Sequence, residues 1–448
     1  MLTHSNPKKI LFANVPADGH FQPLTGLAIY LKSIGHDVRW YTGIGYKTKI
    51  ENLDIPYYPL VKALDLSAGD VDSLFPERDK LNGPIAKLNF DLEHAFIRRS
   101  VEYYEDIKNI RRTFDFDVMI ADVLFTAIPF VRHNLSIPVL AVGVAPLMET
   151  SKDLAPAGLG ITPSNNFFGK RLQDVMRWIT DNMLFKKMVT LMTERYNDYG
   201  LVPPKGNVFN ALCKESTILM QIGTPGFEYK RSDLGTNIRF IGALLPLKKA
   251  SNPLAFKDKL ERYKKVVLVT QGTVERDINK LLLPTLEAFK NSDTLVVVTT
   301  GGSKTEELRK QYPQENIVIE DFIPFDDIMP YVSVYITNGG YGGVMLSIEN
   351  KVPIVASGVH EGKNEICARI GYFNIGINLK TEKPKSEQIY KAVNEVLLND
   401  KYKKNITALK EEFARYNAFE LVEQFVQEVT EATRQEKVVS AKKTAALI

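Results

Sequence analysis

The chain has 448 residues, too many for a single core, and a length of roughly 100–200 residues per domain points to two large domains. Its 44% hydrophobic and 25% charged content is that of an ordinary soluble globular protein. Lysine plus arginine (57) exceed aspartate plus glutamate (53) by only four and are scattered along the chain, which argues against nucleic acid as the partner.

Cys213 and Cys367 stand far apart, which excludes a disulfide framework and suits a reducing compartment. No apolar stretch approaches the roughly 18 residues that span a bilayer, and residues 1–7 lack the apolar core of a signal peptide. A cytoplasmic protein with no integral membrane segment, a monomer or weak dimer, is the expectation.

Short β-branched runs alternate with amphipathic helical patterns, the signature of parallel sheets covered by helices on both faces. The fold class expected is α/β, with two doubly wound Rossmann-like domains. Strands are expected at 9–15, 38–41, 118–121, 139–144 and 217–222, and in a second series at 266–270, 295–299, 317–320, 332–337 and 353–356.

The first strand runs into Pro16-Ala-Asp-Gly-His-Phe-Gln-Pro, which puts His20 at a strand-to-helix junction on the carboxyl edge of the sheet, where ligands of open α/β sheets bind. His20 is therefore the candidate general base. His36, in a Gly-His-Asp turn, reads as a surface residue. The strand 118–121 ends in Asp122, which either caps the following helix or orients the His20 imidazole and stabilises its charged form.

Residues 145–215 carry no convincing strand but many methionines and aromatics. Most read as helix core, and some as the lining of an apolar pocket. The segment 239–253, with Gly242, Pro246 and Pro253, reads as a linker rather than a packed element. The expected division is 1–242, a linker 243–258, a second domain 259–415, and a terminal helix with tail, 416–448, crossing back onto the first domain. Residues 434–448, with Lys437, Lys442 and Lys443 among small and apolar residues, read as a frayed end, with weak contact to a membrane surface as the alternative.

The run Tyr331-Val-Ser-Val-Tyr-Ile-Thr-Asn-Gly-Gly-Tyr-Gly-Gly reads as a buried strand followed by a glycine hinge and a helix. Gly339, Gly340, Gly342 and Gly343 would let a ligand approach the backbone, and the helix N-terminus offers free N–H groups. The hinge is either a phosphate seat or a structural turn.

Taken together, G-H-x-x-P with a downstream Asp at a strand end, F-I-P-F-x-x-I-M-P, T-N-G-G-Y-G-G and K-V-P resemble the inverting UDP-glycosyltransferases of natural-product metabolism, with the two-domain GT-B fold. The resemblance spans residues 8–433. It implies transfer of a sugar, with glucose the default, from a nucleotide sugar such as UDP-glucose to a hydroxyl of a hydrophobic acceptor (phenolic, terpenoid or macrolide-like). It also implies His20 as base with Asp122 behind it, Phe322 stacking on the nucleobase, the four glycines and Asn338 under the diphosphate, and Thr273 reaching the phosphates. Phe21, Met148, Phe167 and Phe168 are the acceptor-side candidates.

The chain departs from the family pattern at Asn338, where a histidine is usual, at Gly343, where a hydroxyl residue is usual, and at Leu346, where a glutamate is usual. Lys363, with Glu361 two places before it, lies where an acid–glutamine pair reads sugar hydroxyls. The lysine is either a replacement charge for the donor or a solvated surface group. Asp70-Val-Asp72 and Asp115-Phe-Asp117 match the Asp-x-Asp pattern of metal-dependent sugar transferases but lie far from the glycine loop, so no metal or other cofactor is expected. A sugar-nucleotide 2-epimerase and a non-catalytic nucleotide-sugar-binding protein are the competing readings.

Overall fold

The computed structural model describes residues 6–67, 74–245, 254–272, 275–360 and 362–445. Among them, β1 (Lys9–Ala13), β2 (Asp37–Thr42), β3 (Tyr57–Pro59), β4 (Val118–Asp122), β5 (Val139–Gly143), β6 (Ile218–Gln221) and β7 (Ile238–Phe240) form one sheet in the order β3-β2-β1-β4-β5-β6-β7. A second sheet contains β8 (Val266–Thr270), β9 (Leu295–Thr299), β10 (Ile317–Glu320), β11 (Val334–Thr337), β12 (Ile354–Ala356) and β13 (Gly376–Asn378), in the order β10-β9-β8-β11-β12-β13. Neighbours in both sheets run parallel. The chain is thus an α/β protein of two doubly wound sheets.

The local reason is visible in β8 and β9, Val-Val-Leu-Val-Thr and Leu-Val-Val-Val-Thr, whose residues are all buried. A central parallel strand is covered by helices on both sides, so it reads as an unbroken apolar run. Alternate residues sort onto opposite faces: Ile10, Phe12, Ile120 and Val142 on one, Leu11, Ala13, Met119 and Ala141 on the other. The first of these clusters continues into the second half through Leu268, Val297 and Ile354, so one apolar core joins a face of each sheet.

Strand order reverses between β1 and β4 in the first sheet and between β8 and β11 in the second. At such a reversal the connections leave toward opposite faces and open a crevice at the carboxyl ends of the strands. Each half therefore carries one crevice.

Three strands escaped the sequence reading, and all are three-residue edge strands: β3, β7 and β13. Part of the supposed linker belongs to the fold, because Ile238–Phe240 pairs with β6, and Ile241 and Leu244 are buried. Residues 246–253 lie outside the described residues. The supposed frayed end is also corrected: the helix Ala418–Ala445 continues well past the last periodic apolar residue. Its Glu, Gln, Lys and Ala residues are good helix formers.

That terminal helix lies against the helix Asp18–Ser33, with Phe419 5.2 Å from Tyr30 ring to ring. It also covers His36, which is 4% exposed rather than a surface residue. His36 Nδ1 accepts the Lys8 backbone N–H at 2.9 Å, which leaves Nε2 to donate to Glu423 at 2.7 Å. The two halves are further joined where Tyr341 donates its phenol hydrogen to the Ile222 carbonyl at 2.7 Å, and where Arg369 meets Glu228 at 2.6 Å. No described helix is long and apolar enough to cross a membrane.

Candidate active site

In the first half, His20 lies in the first turn of the helix Asp18–Ser33, directly after β1, and Asp122 ends the neighbouring β4. His20 Nδ1 is 2.8 Å from Asp122 Oδ1. Asp122 is fully buried, and it accepts the Val15 N–H at 2.8 Å and the Leu124 N–H at 2.9 Å. The helix that follows opens only at Ile128, with Ala127 at its cap, so Asp122 does not cap it.

An ionised carboxylate only accepts, so the shared proton sits on Nδ1 and leaves Nε2 as the free acceptor. The His20 side chain retains 20% exposure. Burial lowers its pKa, but the charge of Asp122 and the hydrogen bond outweigh this and hold it above the ordinary 6.5.

In the second half, a cleft of about 230 Å³ opens at the reversal between β8 and β11. Its floor is a row of strand ends in register, Thr299 beside Thr270 beside Thr337. Gly340, at the N-terminal cap of the helix Tyr341–Glu349, and Gly343 line it. Gly339 has φ +91°, and a Cβ there would lie 2.7 Å from Cys367 Sγ, so both conformation and space require glycine. At Gly340 and Gly342 an added Cβ meets nothing within 4 Å, so these two face open space. Phe322, 69% exposed, stands on the cleft wall. Asn338 is buried, and its amide donates to the Gln271 carbonyl, tying the loop to the end of β8.

The family described as "UDP-glucoronosyl and UDP-glucosyl transferase" matches residues 107–413. The chain is 30% identical over 411 residues, 92% of its length and 96% of the relative's, to 4'-demethylrebeccamycin synthase of Lentzea aerocolonigenes. It is 29% identical to UDP-glucosyltransferase 1 of Beauveria bassiana, over 94% of this chain and 95% of that one. The chain belongs to the UDP-glycosyltransferases. In fold it is similar to CalG4, the calicheamicin glycosyltransferase, with a TM-score of 0.71 at 16% identity over 96% of this chain and 98% of that one. It is likewise similar to the glycosyltransferase VinC in complex with DTDP, with a TM-score of 0.68 at 15% identity over 95% and 100%.

The remaining expected site residues of this glycosyltransferase fall in varied places. Thr273 and Glu361 lie outside the described residues, as does Asp70-Val-Asp72. Lys363 is the first residue of the helix Lys363–Tyr372, with its backbone packed behind Gly339 and its charge acting on Glu275. Phe21 does not face the crevice: it is 2% exposed, with its ring 4.8 Å from Trp40 and 4.6 Å from Tyr46. Sequence adjacency to His20 misled there, because consecutive helical residues point about 100° apart. Met148 is half-buried against the core of the first sheet.

Asp115 pairs with Arg111 at 3.2 Å, and Asp117 accepts the Lys9 N–H at 2.8 Å, so that Asp-x-Asp match has structural work. Among the described residues, no group of three or more His, Cys, Asp or Glu could hold a metal ion.

Phe167 and Phe168 open the helix Phe167–Ile179, which presents its faces in an unusual sense. Its polar Gln173 is 3% exposed and donates to the Thr162 carbonyl, and Arg177 turns to the Leu154 carbonyl. Its apolar Phe168, Leu172, Val175 and Trp178 point outward, with Phe168 84% exposed. The loop before it reaches the other half: the Gly158 and Gly160 N–H groups donate to Glu365 at 2.9 and 2.8 Å. The loop that leads into this helix is thereby tied to the helix Lys363–Tyr372 of the other half.

Sequence reasoning missed Thr270, Thr299, Asp321, Tyr335 and Thr337 in the cleft lining. A signal was available, since β8, β9 and β11 all end in threonine at the carboxyl edge.

Proposed function

We propose that this glycosyltransferase moves a sugar, with glucose the default, from a UDP-sugar to a hydroxyl of an apolar small molecule, inverting the anomeric carbon and using no metal ion. His20 Nε2 takes the acceptor proton as the oxygen attacks the anomeric carbon, and the nucleoside diphosphate leaves into the glycine loop. Asp122 holds the tautomer and stabilises the imidazolium that forms. The N-terminus of the helix Tyr341–Glu349 receives the leaving charge, and the positive charge of Lys363 supports it.

The observation that carries this reading is the His20–Asp122 hydrogen bond of 2.8 Å at the strand-order reversal of the first sheet. Asp122 is buried and held by two backbone N–H donors, an arrangement suited to orienting a base at a crevice edge. The outward apolar stripe of the helix Phe167–Ile179 supports an apolar acceptor, because an exposed apolar stripe marks a surface that binds an apolar ligand or partner.

The test is product analysis with labelled UDP- and TDP-sugars and a panel of phenols and terpenoid alcohols, with and without a chelator. The expected product from an α-linked donor is a β-glycoside that forms in the chelator as well. Epimerised sugar nucleotide with no glycoside would favour the epimerase, and untouched donor across the panel would favour a binding protein.

A further inference from the structure

Gly343 needs an explanation other than backbone freedom. It lies inside the helix Tyr341–Glu349 and is not among the residues with positive φ. Glycine in an unstrained helical turn is less favourable than alanine. The reason is space: a Cβ at 343 would lie 2.6 Å from the Tyr335 phenol oxygen and 3.3 Å from the ring carbon that bears it. The phenol of Tyr335 occupies the volume that a side chain at 343 would fill.

Tyr335 comes from β11, is 2% exposed, and stands edge-on to Phe325 at 6.0 Å. A phenylalanine would fill the apolar core equally well, so the hydroxyl is the informative part, since a buried hydroxyl needs hydrogen-bond partners. It is placed beside the third residue of the helix, whose first N–H groups have no partner within the helix. Tyr335, Thr337, Gly340 and Gly343 line the same cleft. Burial holds the phenol in its protonated, donating form.

We propose that Tyr335 donates a hydrogen bond from its phenol hydroxyl to a phosphate oxygen of the sugar nucleotide, and that residue 343 is glycine to admit that hydroxyl. The inference rests on the donor reading of this cleft and adds to it a binding group from the strand floor in place of one from the helix. Tyr335 and Gly343 then behave as a size-coupled pair.

Calorimetric titration of the full chain with UDP and with uridine tests this. A hydrogen bond to a charged group supports about a 10- to 100-fold effect, so Tyr335→Phe is expected to weaken UDP by that factor while leaving uridine binding and Tm near wild type. Gly343→Ser alone collides with the phenol and weakens UDP. In the double variant Tyr335→Phe/Gly343→Ser the new hydroxyl sits against the bare ring and recovers most of the UDP affinity. Tyr335→Phe binding UDP as tightly as wild type, or losing UDP and uridine alike, overturns the assignment while the donor reading stands. Wild-type protein that binds no UDP overturns both.

Discussion

The imidazole of His20 shares a 2.8 Å hydrogen bond with the carboxylate of Asp122, although 102 residues separate them in the chain. Two backbone N–H groups hold the buried carboxylate, so it cannot turn away, and it keeps the His20 pKa above 6.5 against the opposing effect of burial. A general base works in its neutral form. kcat/KM is therefore expected to rise with pH through a value above 6.5 and to level off on the alkaline side. His20→Ala is expected to lose about 10²–10⁴ in kcat. In Asp122→Asn the charge that raises the pKa is gone and burial remains, so the rising limb moves to lower pH and the plateau falls. A pH–rate profile checks both, and wild-type turnover by His20→Ala would end the assignment.

Two adjacent glycines are expected to respond differently. Gly339→Ala meets Cys367 at 2.7 Å in a backbone with φ +91°, and should lower stability by about 1–3 kcal/mol. Gly340→Ala has φ −63° and open space around the new methyl group, so Tm should hold. That methyl group enters the proposed diphosphate seat, and UDP affinity should fall. Melting curves beside UDP titrations separate the two effects, and equal melting losses would contradict the assigned packing.

Arg369 is 2% exposed and bonds Glu228 of the first half at 2.6 Å and Glu365 of the second at 2.8 Å, with its guanidinium 4.3 Å from the Tyr229 ring centre. Both carboxylates hold its pKa above the ordinary arginine value despite burial. Arg369→Ala removes the shared guanidinium from two poorly hydrated carboxylates, leaving Glu228 a 3.5 Å contact with Arg231 and Glu365 its Gly158 and Gly160 N–H donors, and is expected to cost about 3–5 kcal/mol. Arg369→Met combined with Glu228→Gln should recover much of this. Denaturant unfolding midpoints measure the difference, and a loss under about 1 kcal/mol for Arg369→Ala would show that water reaches the pair.

Phe168 is 84% exposed, so Phe168→Ser removes little from the core. Tm is expected to stay near wild type while KM for apolar acceptors rises several-fold and KM for the donor is unchanged. Steady-state kinetics with both substrates varied will tell, and an unchanged acceptor KM would remove this stripe from the acceptor side.

The parts legible in the sequence were those with a local cause. β8 and β9 are runs of apolar or β-branched residues throughout and β10 is one up to its last residue, Glu320, and the observed bounds are those of the sequence reading. The edge strands β3, β7 and β13 were not legible, because three residues carry too little periodicity to be told from a loop. His20 and Asp122 could be named as candidates because each follows a strand at its carboxyl end. Phe21 could not be placed, since its facing depends on which side of the helix meets Trp40.

By itself, then, the sequence determined two series of parallel strands, a histidine and an aspartate at strand ends, and a glycine hinge before a helix. Short-range rules of period, turn chemistry and backbone freedom suffice for these. Tertiary structure decided which of those residues meet. Strand order brings β1 beside β4, the fold of β11 sets a tyrosine into the space left by Gly343, and the terminal helix covers His36. Such contacts join segments far apart in the chain, and only the packing of whole layers selects them from the many that local pattern allows.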